Sequence, residues 1–386
     1  MRVFITAGEA SGDKLGAALM QGLKELMPEV TFRGIGGPRM EAEGLDSLFP
    51  MDEISIMGIG EILKEYRQLK ARIRQTADAV IAEKPDVLIT IDLPEFSLRV
   101  NRLVKAVSDV RVVHYVAPTV WAWRPGRAKK MASHVDQVLA LLPFEPPYME
   151  AAGIDCDFVG HPVVMDPQAS ETEAEAFRAR HGIDGPMALM LPGSRRSEIA
   201  RLMPIFTDVA ARLHDARPDL RLVLPAAPNV AKTVQEAVAG WPGAPLIITP
   251  DQDADGAEKR AAFRAADVAL AASGTVSLEL AAAGTPMVIA YDMSWLSRQI
   301  IGRMLLVDTV TLVNLVSETR AVPEFIGQKC LPEPIADGVL SVLADPGDQK
   351  AAMALTMERL GQGQDFPGLR AARAVLNGLA GSATKH

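Results

Sequence analysis

Cysteine is scarce in this 386-residue chain: Cys156 and Cys330 are its only two, far apart and outside any CxxC or Cys/His cluster. That excludes a disulfide framework, argues against a structural zinc site and fits a reducing compartment; both read as small buried apolar residues. Long apolar runs are missing as well, since no window approaches about 18 uninterrupted apolar residues. The first residues lack the basic region and apolar segment of a secretory signal, so a cytoplasmic protein, or one lying on a membrane surface, is expected. Positive charge is not in excess: the net charge of −8 leaves any contact with nucleic acid or anionic lipid to a local patch, and no nucleic-acid partner is expected. Two common nucleotide signatures also fail. Gly34-Ile35-Gly36-Gly37-Pro38-Arg39 puts Arg39 where GxGxxG needs its third glycine, and the opening loop has Gly12-Asp13 where a P-loop needs Gly-Lys.

What the chain does have is alternation. Hydrophobic residues make up 48% of it and charged residues 23%, an ordinary globular balance, and the length suits roughly two domains of about 150 residues each. The β-rich runs RVFITAGE, TFRGIGG, DVLITID, RVVHYVAP, QVLALLPFE and DFVGHP alternate with helix-length segments up to Pro162. A polar, acidic stretch, MDPQASETEAEAFRARHGIDG, reads as a linker, and a second series follows: MALMLPGS, LRLVLPAAP, PLIITPD, DVALAASG and PMVIAYD. This spacing predicts an α/β architecture of parallel sheets covered on both faces. The expectation is two Rossmann-like, doubly wound domains facing across a cleft, with ligands outside the carboxyl ends of the strands. The expected divisions are 1–165, 166–335 and terminal helices over 336–386.

Several stretches carry chemistry. GEASGD is a glycine turn between a buried strand and a helix, a place where backbone N–H groups often meet phosphate, yet Glu9 and Asp13 would repel one. Gly8, Glu9, Ser11 and Asp13 therefore suit sugar hydroxyls better than phosphate, with capping of the helix the alternative for Asp13. LPGSRRSEI (191–199) gathers backbone N–H groups, the Ser194 hydroxyl and the Arg195 guanidinium at a helix start, which suits a departing diphosphate; an ordinary N-cap with solvated arginines is the alternative. Ser273, Gly274 and Thr275 open another helix that can meet an anion. Glu279, one turn in, either accepts both hydrogens of a ribose diol or is a solvated residue on a structural cap. Asp92, ending DVLITID, reads as a general base in a partly desolvated cleft or as an Asx turn before a helix.

HYVAPTVWAWRPGRAKK alternates Trp121 and Trp123 ahead of four cations. These tryptophans are core, or else a wall for a sugar or acyl chain with the cations, Arg124 among them, for a phosphate. His114, at a strand end, and His161, at the expected hinge, read as hydrogen-bonded structural histidines or as acid/base groups. Residues 59–81 carry an apolar stripe ringed by Lys64, Arg67, Lys70, Arg72 and Arg74, which either packs on a sheet or lies on anionic lipid; 295–307 is a second basic-apolar stretch. The turn DQDADG formally matches DxD but reads as an exposed acidic turn, and no metal site is expected.

Together, GEASGD, GIGGPRM, MGIGE, IDLPEF, HYVAPTVWAWRPGR, LPFE, FVGHP, LPGSRRSEI, SGTVSLE with PMVIAY, and LVNL followed by VPEF resemble the lipid-A-disaccharide synthase family, in order from about residue 3 to 330. The resemblance implies the two-domain GT-B fold and no metal or other cofactor. It implies transfer, with inversion, of 2,3-diacylglucosamine from UDP-2,3-diacylglucosamine to the 6-hydroxyl of 2,3-diacylglucosamine 1-phosphate, releasing UDP. An acceptor side formed by Gly8, Glu9, Ser11, Asp13, Trp123 and Arg124, terminal helices that pack back on the N-terminal domain, an intertwined homodimer, and a peripheral place on the cytoplasmic face of the inner membrane are further expectations of the resemblance. Position by position, Asp92 matches a family aspartate important for activity and Arg195 the arginine of LPGSR. Ser273, Gly274, Thr275 and Glu279 fall in the donor-nucleotide segment, and Asn314 of LVNL on its uridine side. Glu95 stands where many relatives carry aspartate. Two rival readings are a UDP-N-acetylglucosamine 2-epimerase and a non-catalytic nucleotide-sugar or lipid binding module.

Overall fold

The computed structural model describes residues 1–55, 62–122, 126–292 and 307–383, with the backbone alone for 62–66 and 382–383. Trp123 and Arg124, residues 59–61 and nearly all of 295–307 lie outside the described residues. Two compact units divide the chain: Met1–Pro162 with Gly363–His386, and Val163–Gln362.

In the first unit, the described residues form a sheet of β1 (Arg2–Thr6), β2 (Thr31–Ile35), β3 (Asp46–Ser47), β4 (Val87–Ile91), β5 (Arg111–Tyr115), β6 (Gln137–Ala140) and β7 (Asp155–Phe158). Their order is β3-β2-β1-β4-β5-β6-β7, with every pairing parallel. The helices are α1 (Ala10–Leu26), α2 (Pro38–Ala42), α3 (Ile62–Glu83), α4 (Pro94–Lys105), α5 (Gly126–Met131) and α6 (Pro146–Glu150). A strand buried on both faces has no reason to alternate polar residues, and VLITI of β4 is buried at every position. Val3, Ile5 and Ile89 pack toward α1, while Phe4, Leu88 and Val112 pack toward α3 and α4. The stripe of α3 is spent here: Leu69, Ile73, Ala77 and Val80 are all core.

The second unit contains α7 (Glu171–Arg180), β8 (Met187–Leu191), α8 (Arg196–Ala216), β9 (Arg221–Pro225), α9 (Ala231–Val238), β10 (Leu246–Ile248), α10 (Ala257–Ala265), β11 (Val268–Ala272) and α11 (Val276–Ala283). It continues with β12 (Met287–Tyr291), α12 (Leu312–Ser317), β13 (Glu324–Ile326), α13 (Pro332–Ala344) and α14 (Gln349–Arg359). Its strands run parallel in the order β10-β9-β8-β11-β12-β13. The acidic stretch read as a linker is largely α7, opened by a capping box in which Ser170 and Glu173 exchange side-chain and backbone bonds. Only Ala174 and Phe177 of that helix are buried, which is why no apolar period advertised it.

The terminal segment also differs from expectation. α13 packs on α8 and α14 on α11 and α12, all in the second unit; only α15 (Pro367–Ala383) belongs to the first, against α1. Two glycines let α1 and α15 touch. A Cβ on Gly22 would stand 2.6 Å from the Gly368 carbonyl oxygen, and one on Gly368 would stand 2.2 Å from that of Ala18. Gly368→Ala should therefore destabilise the protein by about 1–3 kcal/mol, the usual cost of overpacking; urea unfolding that matches the parent would contradict this packing.

Candidate active site

Strand order reverses between β1 and β4 in the first unit and between β8 and β11 in the second. At such a switch point the loops leaving two neighbouring strands part to opposite faces and leave a crevice.

In the first unit that crevice is flanked by Gly8–Asp13 and by Asp92. Gly8 is closely packed: a Cβ there would lie 2.2 Å from Leu93 Cδ1, so that side chain would have to shift, and the Gly8 carbonyl accepts the Ser55 hydroxyl. Glu9 and Ser11 are exposed at the start of α1. Asp13 corrects the acceptor-side expectation. It is buried, and its carboxylate accepts from the backbone N–H groups of Gly37 at 2.8 Å, Met40 at 3.0 Å and Arg39 at 3.1 Å. It thus caps α2, and GIGGPRM is the other half of that cap.

Asp92 sits in strained backbone. Its φ is +50° and that of Leu93 +47°, while Val116, at the end of β5, has +81°; such conformations cost about 1–3 kcal/mol each and cluster at functional sites. They are held by Asp92 N–H donating to the Tyr115 carbonyl at 2.9 Å and by the Ser97 hydroxyl donating to the Asp92 carbonyl at 2.7 Å. The Asp92 carboxylate itself is half-buried and makes neither an Asx turn nor a cap for α4. Glu95, by contrast, is exposed and paired with Arg99 at 2.9 Å and Arg127 at 3.6 Å. Beneath this edge, His114 shares Thr90 Oγ1 with Asn101; burial pushes its pKa down to about 4, so it is a neutral structural imidazole. Trp121 is core: its Nε1 donates to Glu145 at 3.3 Å and its ring meets Phe144 edge-on at 5.1 Å.

In the second unit a cavity of about 540 Å³ opens at the carboxyl ends of β8, β9, β10 and β11. Ser194, Arg195, Ser273, Gly274, Thr275 and Glu279 all line it. Glu279 accepts from Lys259 Nζ at 2.6 Å, and that ammonium lies 5.0 Å from the centroid of Phe263. Two expectations change. The N–H groups of Ser194 and Arg195, expected to face a phosphate, donate instead to Glu198 Oε2 at 3.1 and 3.2 Å. Asn314 does not line the cavity: its amide bonds Thr309, the Val322 carbonyl and the Val322 N–H, closing the 309–322 loop. In DQDADG, both Asp253 oxygens accept from the first N–H groups of α10, Glu258 and Lys259, at 2.9 Å each.

A family model described as lipid-A-disaccharide synthetase matches residues 3–373. The chain is 62% identical to the lipid-A-disaccharide synthase of Ruegeria pomeroyi over 99% of its own length and 96% of that protein's. It is 47% identical to the enzyme of that name from Rhodospirillum centenum, over 97% and 94% of the two chains. The chain belongs to the lipid-A-disaccharide synthetase family. Solved structures similar in fold include a putative UDP-N-acetylglucosamine 2-epimerase from Listeria monocytogenes (TM-score 0.63, 15% identity, 100% of this chain and 97% of that one). Another is the Neisseria meningitidis UDP-GlcNAc 2-epimerase bound to UDP-GlcNAc (TM-score 0.61, 13% identity, 98% and 99%). The fold is thus the two-domain α/β class expected of this family, GT-B.

For this family member, three groups at or near the crevices went unread in the sequence: Lys259, Glu198 and Glu145. A cavity carboxylate calls for a counter-charge, but nothing in the spacing of Glu279 and Lys259, on different helices, marks them as partners. Glu145 is 3% exposed and accepts from Trp121 and the N–H groups of Leu141 and Leu142. Burial outweighs those bonds and raises its carboxyl from 4.5 to about 7. Stability that this group contributes below pH 4.5 is therefore lost as pH climbs to about 7. Glu145→Gln does not titrate and should gain on the parent by up to about 3 kcal/mol between about pH 4.5 and pH 8; a difference in urea-unfolding free energy that stays flat with pH would contradict it.

Proposed function

We propose that this chain is a lipid-A-disaccharide synthase, an inverting, metal-independent hexosyltransferase. It takes 2,3-diacylglucosamine from UDP-2,3-diacylglucosamine, attaches it to the 6-hydroxyl of 2,3-diacylglucosamine 1-phosphate and releases UDP. The observation that carries this reading is the second-unit cavity, where the groups a UDP-sugar requires converge in a chain with near full-length family identity. Glu279 takes the ribose hydroxyls, and the N-terminus of α11 at Ser273–Thr275 with the Arg195 guanidinium meets the diphosphate. Asp92 accepts the proton of the 6-hydroxyl as that oxygen bonds to the anomeric carbon and the bond to UDP breaks. Its carboxylate supports that role by having no hydrogen-bond or ion-pair partner among the described residues. The 2-epimerase reading has only the fold in its favour, at 15% identity or less among the structures compared.

The same reading places the protein in the cytoplasm, peripheral to the inner face of the inner membrane, and as a homodimer. Among the described residues no helix is long and apolar enough to cross a membrane. The exposed cations Arg67, Lys70 and Arg74 on α3 supply attraction to anionic lipid, while Leu69, Ile73, Ala77 and Val80, being core, do not insert.

Asp92→Asn should lower disaccharide formation from the two acylated substrates by about 10²- to 10⁴-fold, with UDP binding by calorimetry unchanged; parental turnover would remove Asp92 as the base. UDP-N-acetylglucosamine alone should not be epimerised. Glu279→Gln should weaken UDP binding about tenfold or more, the worth of a hydrogen bond to a charged group, and erode the preference for UDP over 2′-deoxy-UDP. An intact preference would place the ribose elsewhere.

A further inference from the structure

Glu198, in the first turn of α8, has a side chain only 15% exposed, and three donors of the preceding loop share its carboxylate. Ser194 N–H and Arg195 N–H donate to Oε2 at 3.1 and 3.2 Å, and Arg195 Nη1 approaches Oε1 at 3.4 Å. The loop is shaped around this anion. Gly193 holds φ at +117°, and a Cβ there would lie 2.6 Å from Glu198 Oε2.

A glycine loop at a helix start ordinarily offers such N–H groups to a ligand phosphate. Here they are filled by a carboxylate of the chain's own, which would also repel a diphosphate approaching the same donors. What this loop has left for an anion is the Arg195 guanidinium, on the cavity wall with 79% of its side chain exposed. An arginine that swings freely must be ordered as the reaction proceeds; one already tethered at its backbone and at one terminal nitrogen needs less ordering. We propose that Glu198 is the positioning residue of the donor cavity: by filling the backbone nest it rigidifies residues 193–195 and aims Arg195 at the leaving diphosphate. This inference rests on the reading of the cavity as the UDP-sugar site. It assigns the loop's backbone to internal structure and its exposed cation to the ligand.

The test is a double-mutant cycle on the full-length protein with both acylated substrates, measuring kcat and donor KM, with thermal unfolding recorded for every variant. Glu198→Gln should lower kcat about 10- to 100-fold, the scale of a misplaced catalytic contact, with donor KM changed by about threefold or less. In an Arg195→Met background the same substitution should change kcat by less than about twofold, because the group being aimed is gone. A merely structural cap would cost the same factor in both backgrounds, and that result, or parental kcat in Glu198→Gln, overturns the proposal alone. Parental kcat in Arg195→Met overturns the donor-site reading and the proposal together. If Glu198→Gln does not fold, Glu198→Asp keeps the charge, shortens the reach and carries the same comparison.

Discussion

When strands run parallel, their connections leave from one edge of the sheet, and where strand order reverses two neighbouring loops turn to opposite faces, so that no connection fills the gap between them. The first unit has that gap between β1 and β4 and the second between β8 and β11. Gly8–Ser11 and Asp92 flank the one; Ser194–Arg195 and Ser273–Thr275 flank the other. Strain gathers beside the first of these, at Asp92 and Leu93, because the chain must leave the fully buried β4 and begin α4 within two residues. The rest of each unit is devoted to making these edges rigid: apolar strands between helical layers, and buried contacts such as Thr90 with His114 directly below the edge.

Carboxylates do much of the rigidifying. Asp13 serves the N–H groups of Gly37, Arg39 and Met40; Asp253 those of Glu258 and Lys259; Glu324 those of Val310 and Thr311; Glu145 those of Leu141 and Leu142. Each satisfies donors at a loop or helix start that lack backbone partners. Against that habit, a carboxylate left without backbone donors is informative. Asp92, just past β4, and Glu279, in the first turn of α11, are two such groups, one without a partner among the described residues and the other held by a lysine side chain.

The strands and both crevices were legible because an apolar run that stops at a glycine and a polar residue is what a buried parallel strand looks like where it meets its loop. Arg195, Ser273–Thr275 and Glu279 follow from that pattern directly. What escaped depended on partners that no spacing rule marks. Asp13 reads equally as a sugar ligand or a cap, because the Gly37–Met40 turn it caps lies far along the chain; the partners of Asn314, Thr309 and Val322, are nearby, but nothing in the residue types marks its amide as closing that loop. Glu198 was hidden for another reason: it accepts the N–H of an arginine at the N-cap, a residue with no acceptor to complete a capping box, where serine, threonine or aspartate is the usual signal. The helix α7 was missed despite a legible Ser170–Glu173 box, since two buried residues make too thin a stripe. For α13 and α14, periodicity announces a helix and says nothing about which sheet it will cover.

The return of α15 to α1 has a bearing on how the protein is made. Ribosomal synthesis delivers the first unit's sheet early and all of the second unit next, but the helix that covers Met20 and Leu23 from outside comes last. Domains usually fold in the order they emerge; here the second unit, continuous in sequence, can finish while the first still waits with an open apolar face. That interval is when the nascent protein is most exposed to aggregation or to a chaperone, and a ribosome that stalls near residue 362 would release a chain with one complete domain and one unfinished.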